Sequence, residues 1–145
     1  MIALTAEPLD LTAVAAAVGD PDHGGTASFV GTTRREGDLR EVVELRFEAY
    51  EELAHAELEA IRDEAETRFR ARVAIAHRIG PVAVGEASVA VAASAGHRPA
   101  AFAACRYAID ELKVRAPIWK QAVYADGEAR WLDGSAAPAP AGAGR

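Results

Sequence analysis

The sequence predicts an α+β domain, a mixed and mostly antiparallel sheet carrying about three helices. Residues 51–70 and 99–116 repeat apolar side chains every three or four positions, as helices with one buried face do. Several shorter runs alternate with period two, as half-buried strands do, and the two kinds of run do not strictly alternate along the chain.

Ile2–Thr5 has the composition of a short strand. Pro8 is placed for a first helical turn ahead of Leu11, Val14, Ala15 and Val18, and the stretch from Gly19 to Gly25 closes that helix. Thr26–Thr32 is rich in strand formers, and Arg34–Arg40 is polar, with Gly37 and Asp38, as an exposed loop would be. Val43, Leu45 and Phe47 alternate with charged residues, a strand with one buried face that ends near Tyr50. Ala54, Leu58, Ile61, Ala65 and Phe69 then mark a long amphipathic helix. Two further strands follow, one with Val73, Ile75 and Ile79, the other with Ala87, Val89, Val91 and Ala93, joined through Gly80-Pro81. Pro99 opens the last helix, Phe102, Cys105, Ile109 and Leu112 line its buried face, and Pro117 forbids its continuation. One domain is expected over residues 1–133. Residues 134–145, rich in Ala, Pro and Gly, form a flexible tail with no large apolar residue to bury.

Composition narrows the function. Sixteen Lys and Arg against twenty-two Asp and Glu leave 145 residues with a net charge of −6, which argues against a broad grip on nucleic acid. A local cationic pocket is still compatible with that total. A single cysteine, Cys105, forms no internal bridge and falls on the apolar helix stripe, so it reads as a packing residue in a cytoplasmic protein. The N-terminus lacks the basic start of a secretion signal, and its longest apolar stretch is too short to span a bilayer. His23, His55 and His77 have no metal-ligand spacing with one another or with Cys105.

A few polar residues lie beside apolar elements. His97 and Arg98 fall where a strand meets a helix start, a place that suits an anion because free N–H groups and the helix dipole point there. Lys113, four residues after Ile109, borders the buried face, where partial desolvation can tune an amine for acid–base work. Lys120 follows the stiff apolar segment Pro117-Ile118-Trp119. Arg34, beside Arg35, follows a strand and offers the planar donors that match a phosphate. Taken singly, each has an ordinary alternative: a solvated loop pair for His97 and Arg98 or for the arginines, a snorkelling stem for the lysines. For Trp119 and Trp131 the ordinary reading is core filling.

Taken together, these residues fall into a recognisable order. Phe29-Val30-Gly31-Thr32-Thr33-Arg34, Phe47-Glu48-Ala49-Tyr50, His77-Arg78-Ile79-Gly80, Gly96-His97-Arg98 and Leu112–Lys120 resemble the large, catalytic subunit family of molybdopterin synthase, from about Gly25 to Trp131. Gly96 stands where that family more usually has Ala, and Phe47 where Tyr is frequent.

The resemblance implies an α/β-hammerhead-like fold. It implies a sulfurtransferase that converts cyclic pyranopterin monophosphate, precursor Z, into the molybdopterin dithiolene. The donor would be a small ubiquitin-like sulfur-carrier subunit whose C-terminal Gly-Gly bears a thiocarboxylate. It implies a homodimer of large subunits within a heterotetramer, with a pterin pocket drawing on both large chains. Lys113 and Lys120 would be catalytic, and Arg34, His97, Arg98, Lys113 and Lys120 would bind substrate. No metal, no separate cofactor, no nucleic acid and no membrane is expected to take part. The competing expectations are a catalytically silent relative that binds the ubiquitin-like partner, and a different enzyme acting on a phosphorylated heterocycle.

Overall fold

The structure, a computed structural model, describes residues 1–37 and 40–132. The proposed tail at 134–145 and part of the loop at 35–40 lie outside the described residues. The element order is β1 (Ile2–Thr5), α1 (Leu11–Ala16), β2 (Gly25–Thr32), β3 (Glu36–Gly37), β4 (Arg40–Ala49), α2 (Glu51–Phe69), β5 (Ala71–Arg78), β6 (Gly80–Ala83), β7 (Ala87–Ala95), α3 (Arg98–Arg115), β8 (Ile118–Tyr124) and β9 (Ala129–Trp131). This is the mixed α+β fold expected, with three helices among the described residues.

Two sheets share the strands. The first has the order β1-β5-β7-β2, parallel between β1 and β5 and antiparallel elsewhere. The second runs β3-β4-β8-β9, with β6 also paired to β4. The strands β3, β6, β8 and β9 exceed the expected strand count because they are short or lack a clear period-two pattern, and their partners define them.

The first sheet is covered on both faces. Val73, Ile75, Val89 and Val91 meet Leu58 and Ile61 of α2 and Ala104, Cys105, Ala108 and Leu112 of α3. On the opposite face Ala74, Ala76, Ala90 and Ala92 receive Val14 of α1 and Val18 just beyond it. Large residues thus face the two long helices and small ones let the short helix approach closely. That is why β5 and β7 read as nearly continuous apolar runs. Each fully buried Leu, Ile or Val here contributes roughly 1.5–3 kcal/mol of burial.

Three expectations need correction in detail. Pro8 lies outside α1, whose N-cap is Asp10, the side chain accepting from Ala13 N–H at 3.0 Å. Val43 is exposed while Val42 and Phe47 are buried, because a register shift between Val42 and Glu44 breaks the alternation in β4. Gly80-Pro81 is the beginning of β6 and not only a turn. Gly80, at φ 86°, takes the backbone conformation that lets the chain pass from the first sheet to the second.

Candidate active site

Lys113 and Lys120 are brought together by the way α3 ends. Pro117 forces the residue before it into extended backbone, and Ala116 leaves the helix at φ −71°, ψ 130°. The Pro117 carbonyl then accepts from Tyr50 N–H at 3.2 Å, and β8 runs antiparallel to β4 with Lys120 opposite Phe47. On its other side Phe47 pairs with Gly80, three residues after His77. The two sheets and the C-terminal turn of α3 therefore converge on one hollow of about 40 Å³, lined by Phe47, His77, Lys113 and Lys120 with Leu112, Ala116 and Ile118.

That turn is braced from outside. Arg115 donates to Glu57 at 2.7 Å and to both carboxylate oxygens of Glu64 at 2.6 and 2.9 Å, tying α3 to α2. The Arg115 hydrogen bonds, and one from the Tyr107 hydroxyl, hold the Glu64 carboxyl down to about 2. Lys113 lies two residues before this anchor. The helix dipole adds a partial negative charge that favours both cations of the last turn.

His77 is the buried group of the site, 3% exposed. Its Nδ1–H donates to the Arg78 carbonyl at 2.8 Å, and its ring meets Phe47 edge-on, with centroids 5.1 Å apart. Burial first, and the charges of Lys113 and Lys120 after it, lower its pKa to about 4, against the raising effect of its backbone hydrogen bond. At neutral pH it is an uncharged imidazole with the proton on Nδ1. Sequence reasoning attached no role to His77 beyond its place in the quoted strings. The available signal was a single imidazole closing the apolar run Val73-Ala74-Ile75-Ala76, just before Gly80-Pro81.

The linkage gives a measurable consequence. Below pH 6.5 the unfolded chain takes up a proton at His77 that the folded chain refuses until about pH 4. Stability therefore falls across that window as pH drops, by about 3 kcal/mol from this group alone, and is unaffected by it above pH 6.5. Urea unfolding at stepped pH in the native protein and in a His77→Gln variant checks this, since the variant lacks that part of the acid slope.

The expected residues do not all meet at this hollow. Lys113 does border the buried face, next to buried Leu112, yet its own side chain is exposed, and Lys120 is half-buried. His97 and Arg98 are exposed at the start of α3. Fifteen residues of helix, about 22 Å, separate Arg98 from Lys113. The Gly24 N–H to Gly96 carbonyl bond and the contact of His23 Nδ1 with Ser94 Oγ at 2.7 Å hold the strand that delivers them. A Cβ on Gly96 meets no atom within 4 Å, so alanine fits there too. Arg34 is exposed beside Arg35, whose carbonyl accepts from Val42 N–H. This places it roughly 15 Å along β4 from Phe47. One chain thus assembles Lys113 and Lys120 around His77 and carries Arg34 and the His97–Arg98 pair at two other ends.

Cys105 is buried against Val91, and burial pushes its thiol pKa up. Cys105→Ala is therefore expected to keep the activity of the unsubstituted protein and to cost about 1 kcal/mol of stability in thermal unfolding. Trp119 and Trp131 are half-buried, not core residues, and Trp119 meets Tyr50 edge-on at 5.2 Å. Among the described residues no helix is long and apolar enough to cross a membrane.

Fold and site together define a two-sheet α+β domain with a small cationic hollow backed by a neutral imidazole, a place built for anionic groups. The family model described as MoaE protein matches residues 4–115. A molybdopterin synthase catalytic subunit from Oryza sativa subsp. indica is 48% identical over 149 aligned residues, covering 94% of this chain and 77% of that protein. The crystal structure of molybdopterin synthase from Staphylococcus aureus superposes with a TM-score of 0.86 at 29% identity, over 90% of this chain and 95% of that one. A Helicobacter pylori structure of the complex of subunits 1 and 2 of molybdopterin-converting factor shares the fold, with a TM-score of 0.75 at 23% identity over 94% and 93% of the two chains. The chain belongs to the MoaE protein family.

Proposed function

We propose that this chain is the catalytic subunit of a molybdopterin synthase, an enzyme of molybdenum cofactor biosynthesis, and that it works as a sulfurtransferase. The observation that carries the reading is the convergence of Lys113 and Lys120 on one hollow at the meeting of the two sheets, in a chain whose total charge is −6. Cations concentrated in an acidic protein mark a place for anions. The substrate, cyclic pyranopterin monophosphate, carries a phosphate, and the donor, the thiocarboxylated C-terminus of a small ubiquitin-like subunit, is anionic as well.

Each sulfur transfer forms a carbon–sulfur bond on the pterin side chain in place of a carbon–oxygen bond, whose oxygen leaves as water or stays on the phosphate as the cyclic ester opens, and breaks the donor's acyl carbon–sulfur bond by hydrolysis. Water supplies the oxygen of the carboxylate that departs. Lys113 is assigned the general acid–base role beside the attacking thiocarboxylate, since it lines the hollow and is exposed, open to a donor tail entering from solvent. Lys120, half-buried and held by the β4–β8 ladder, is assigned to the phosphate or the donor terminus. Arg34, His97 and Arg98 are assigned to anchoring the pterin.

About 22 Å of α3 separates Arg98 from the Lys113 of its own chain, which favours a pocket completed by a second large chain. The reading therefore includes a homodimer in which both large chains contribute to each pocket, with a small subunit bound to each. The two-subunit complex from Helicobacter pylori supports that partner.

The test mixes the protein with precursor Z and a thiocarboxylated small subunit and looks for molybdopterin by mass spectrometry. Product is the expected result. Tight partner binding without product favours a silent, partner-binding relative, and neither binding nor product with a cognate partner overturns the reading.

A further inference from the structure

His77 is the most buried ionisable group of the hollow, and the sulfur-transfer chemistry assigned above makes no use of it. Its geometry is specific. The Nδ1–H is spent on the Arg78 carbonyl at 2.8 Å, the edge contact with Phe47 sets the ring plane, and the imidazole lines the same 40 Å³ hollow as Lys113 and Lys120. With Nδ1 carrying the proton, Nε2 is an acceptor, and it is the ring nitrogen farther from the backbone. The charged side chains facing the imidazole are Lys113 from α3 and Lys120 from β8, while β4 contributes the apolar Phe47.

We propose that His77 is a positioning residue that acts through the lysines: its Nε2 accepts one N–H of a lysine ammonium, already in the substrate-free protein, and so aims that ammonium's remaining donors at the reacting groups. An ammonium has three rotatable donors on a flexible stem, and on its own it has no preferred direction. A fixed neutral acceptor behind it supplies one, as outer hydrogen bonds do for other reacting side chains. Burial serves this role, because a protonated His77 would be a third cation beside two others and would expel the ammonium it is meant to hold. The catalytic consequence rests on the sulfur-transfer reading; the acceptor role itself does not.

Two measurements test it. The first needs no substrate. Long-range proton–nitrogen NMR on the native protein at pH 7 is expected to show His77 protonated on Nδ1, with an Nε2 resonance that shifts in Lys113→Ala or in Lys120→Ala. Protonation on Nε2, or an Nε2 resonance unmoved in both variants, overturns the proposal.

The second measures sulfur transfer across pH for His77→Leu and His77→Gln. Leucine fills the space without an acceptor, and kcat is expected to fall roughly 10- to 100-fold with KM little changed. The alkaline limb should also move to lower pH, because the ammonium has lost a partner. Glutamine, which offers an acceptor oxygen, is expected to restore most of the rate. Equal losses in both variants with unmoved pH limbs mean a purely structural role and sink the idea. Where His77→Leu does not fold, the glutamine variant and the NMR result decide. An Nε2 that responds to the lysines in a protein that forms no molybdopterin would count against the reaction and not against the acceptor.

Discussion

Lys113→Ala is expected to abolish sulfur transfer, lowering kcat by about 1,000-fold, while the fold and the docking of the small subunit survive. The separation of effects follows from where the residue stands. Lys113 is exposed at the rim of the hollow, and the packing of that turn of α3 is carried by its buried neighbour Leu112 and by the Arg115 contacts to Glu57 and Glu64. Removing an exposed side chain from such a position changes stability by no more than about 0.5 kcal/mol. Single-turnover formation of molybdopterin, thermal unfolding and small-subunit affinity, measured on the same preparation, check all three parts. Turnover at the unsubstituted rate would remove Lys113 from the mechanism.

Mixing two dead variants is expected to restore activity. Lys113→Ala and Arg98→Ala should each be inactive as pure dimers. After subunit exchange, half of the dimers are mixed, and in each of those one pocket combines an intact Lys113 from one chain with an intact Arg98 from the other. About a quarter of all pockets therefore work. The argument is the length of α3, which keeps Arg98 and Lys113 of one chain about 22 Å apart. Activity that stays at background after exchange, verified by tagged subunits, would mean that each pocket draws these residues from a single chain and would require a different account of His97 and Arg98.

Much of the fold is legible in particular residues. The apolar spacing from Ala54 to Phe69 and from Phe102 to Leu112 identifies α2 and α3, because a buried stripe must recur with the helical period. Pro117 sets the end of α3 through a local steric rule that needs no partner. Cys105 is read correctly as packing for the same local reason. Val43 is misread, because the alternation rule assumes an unbroken ladder and the bulge depends on the partner β8. β6, β8 and β9 are hard to see for a related reason: they owe their strand character to β4 and to one another.

The sequence by itself determined the chemistry on offer: two lysines around a proline turn, a His-Arg pair at a helix start, an arginine after a strand, and the order that places the chain in its family. Those are matters of residue type and local spacing, which a linear chain carries in full. Only the tertiary structure decided which of them meet. It brings Lys113 and Lys120 to one hollow, sends Arg34 and Arg98 away from it, and turns His77, inconspicuous in the sequence, into the neutral imidazole at its back. The reason is desolvation and distance: whether a group is buried, and which charges stand near it, depends on elements 30 to 70 residues apart being folded against one another, as Phe47, His77 and Lys113 are.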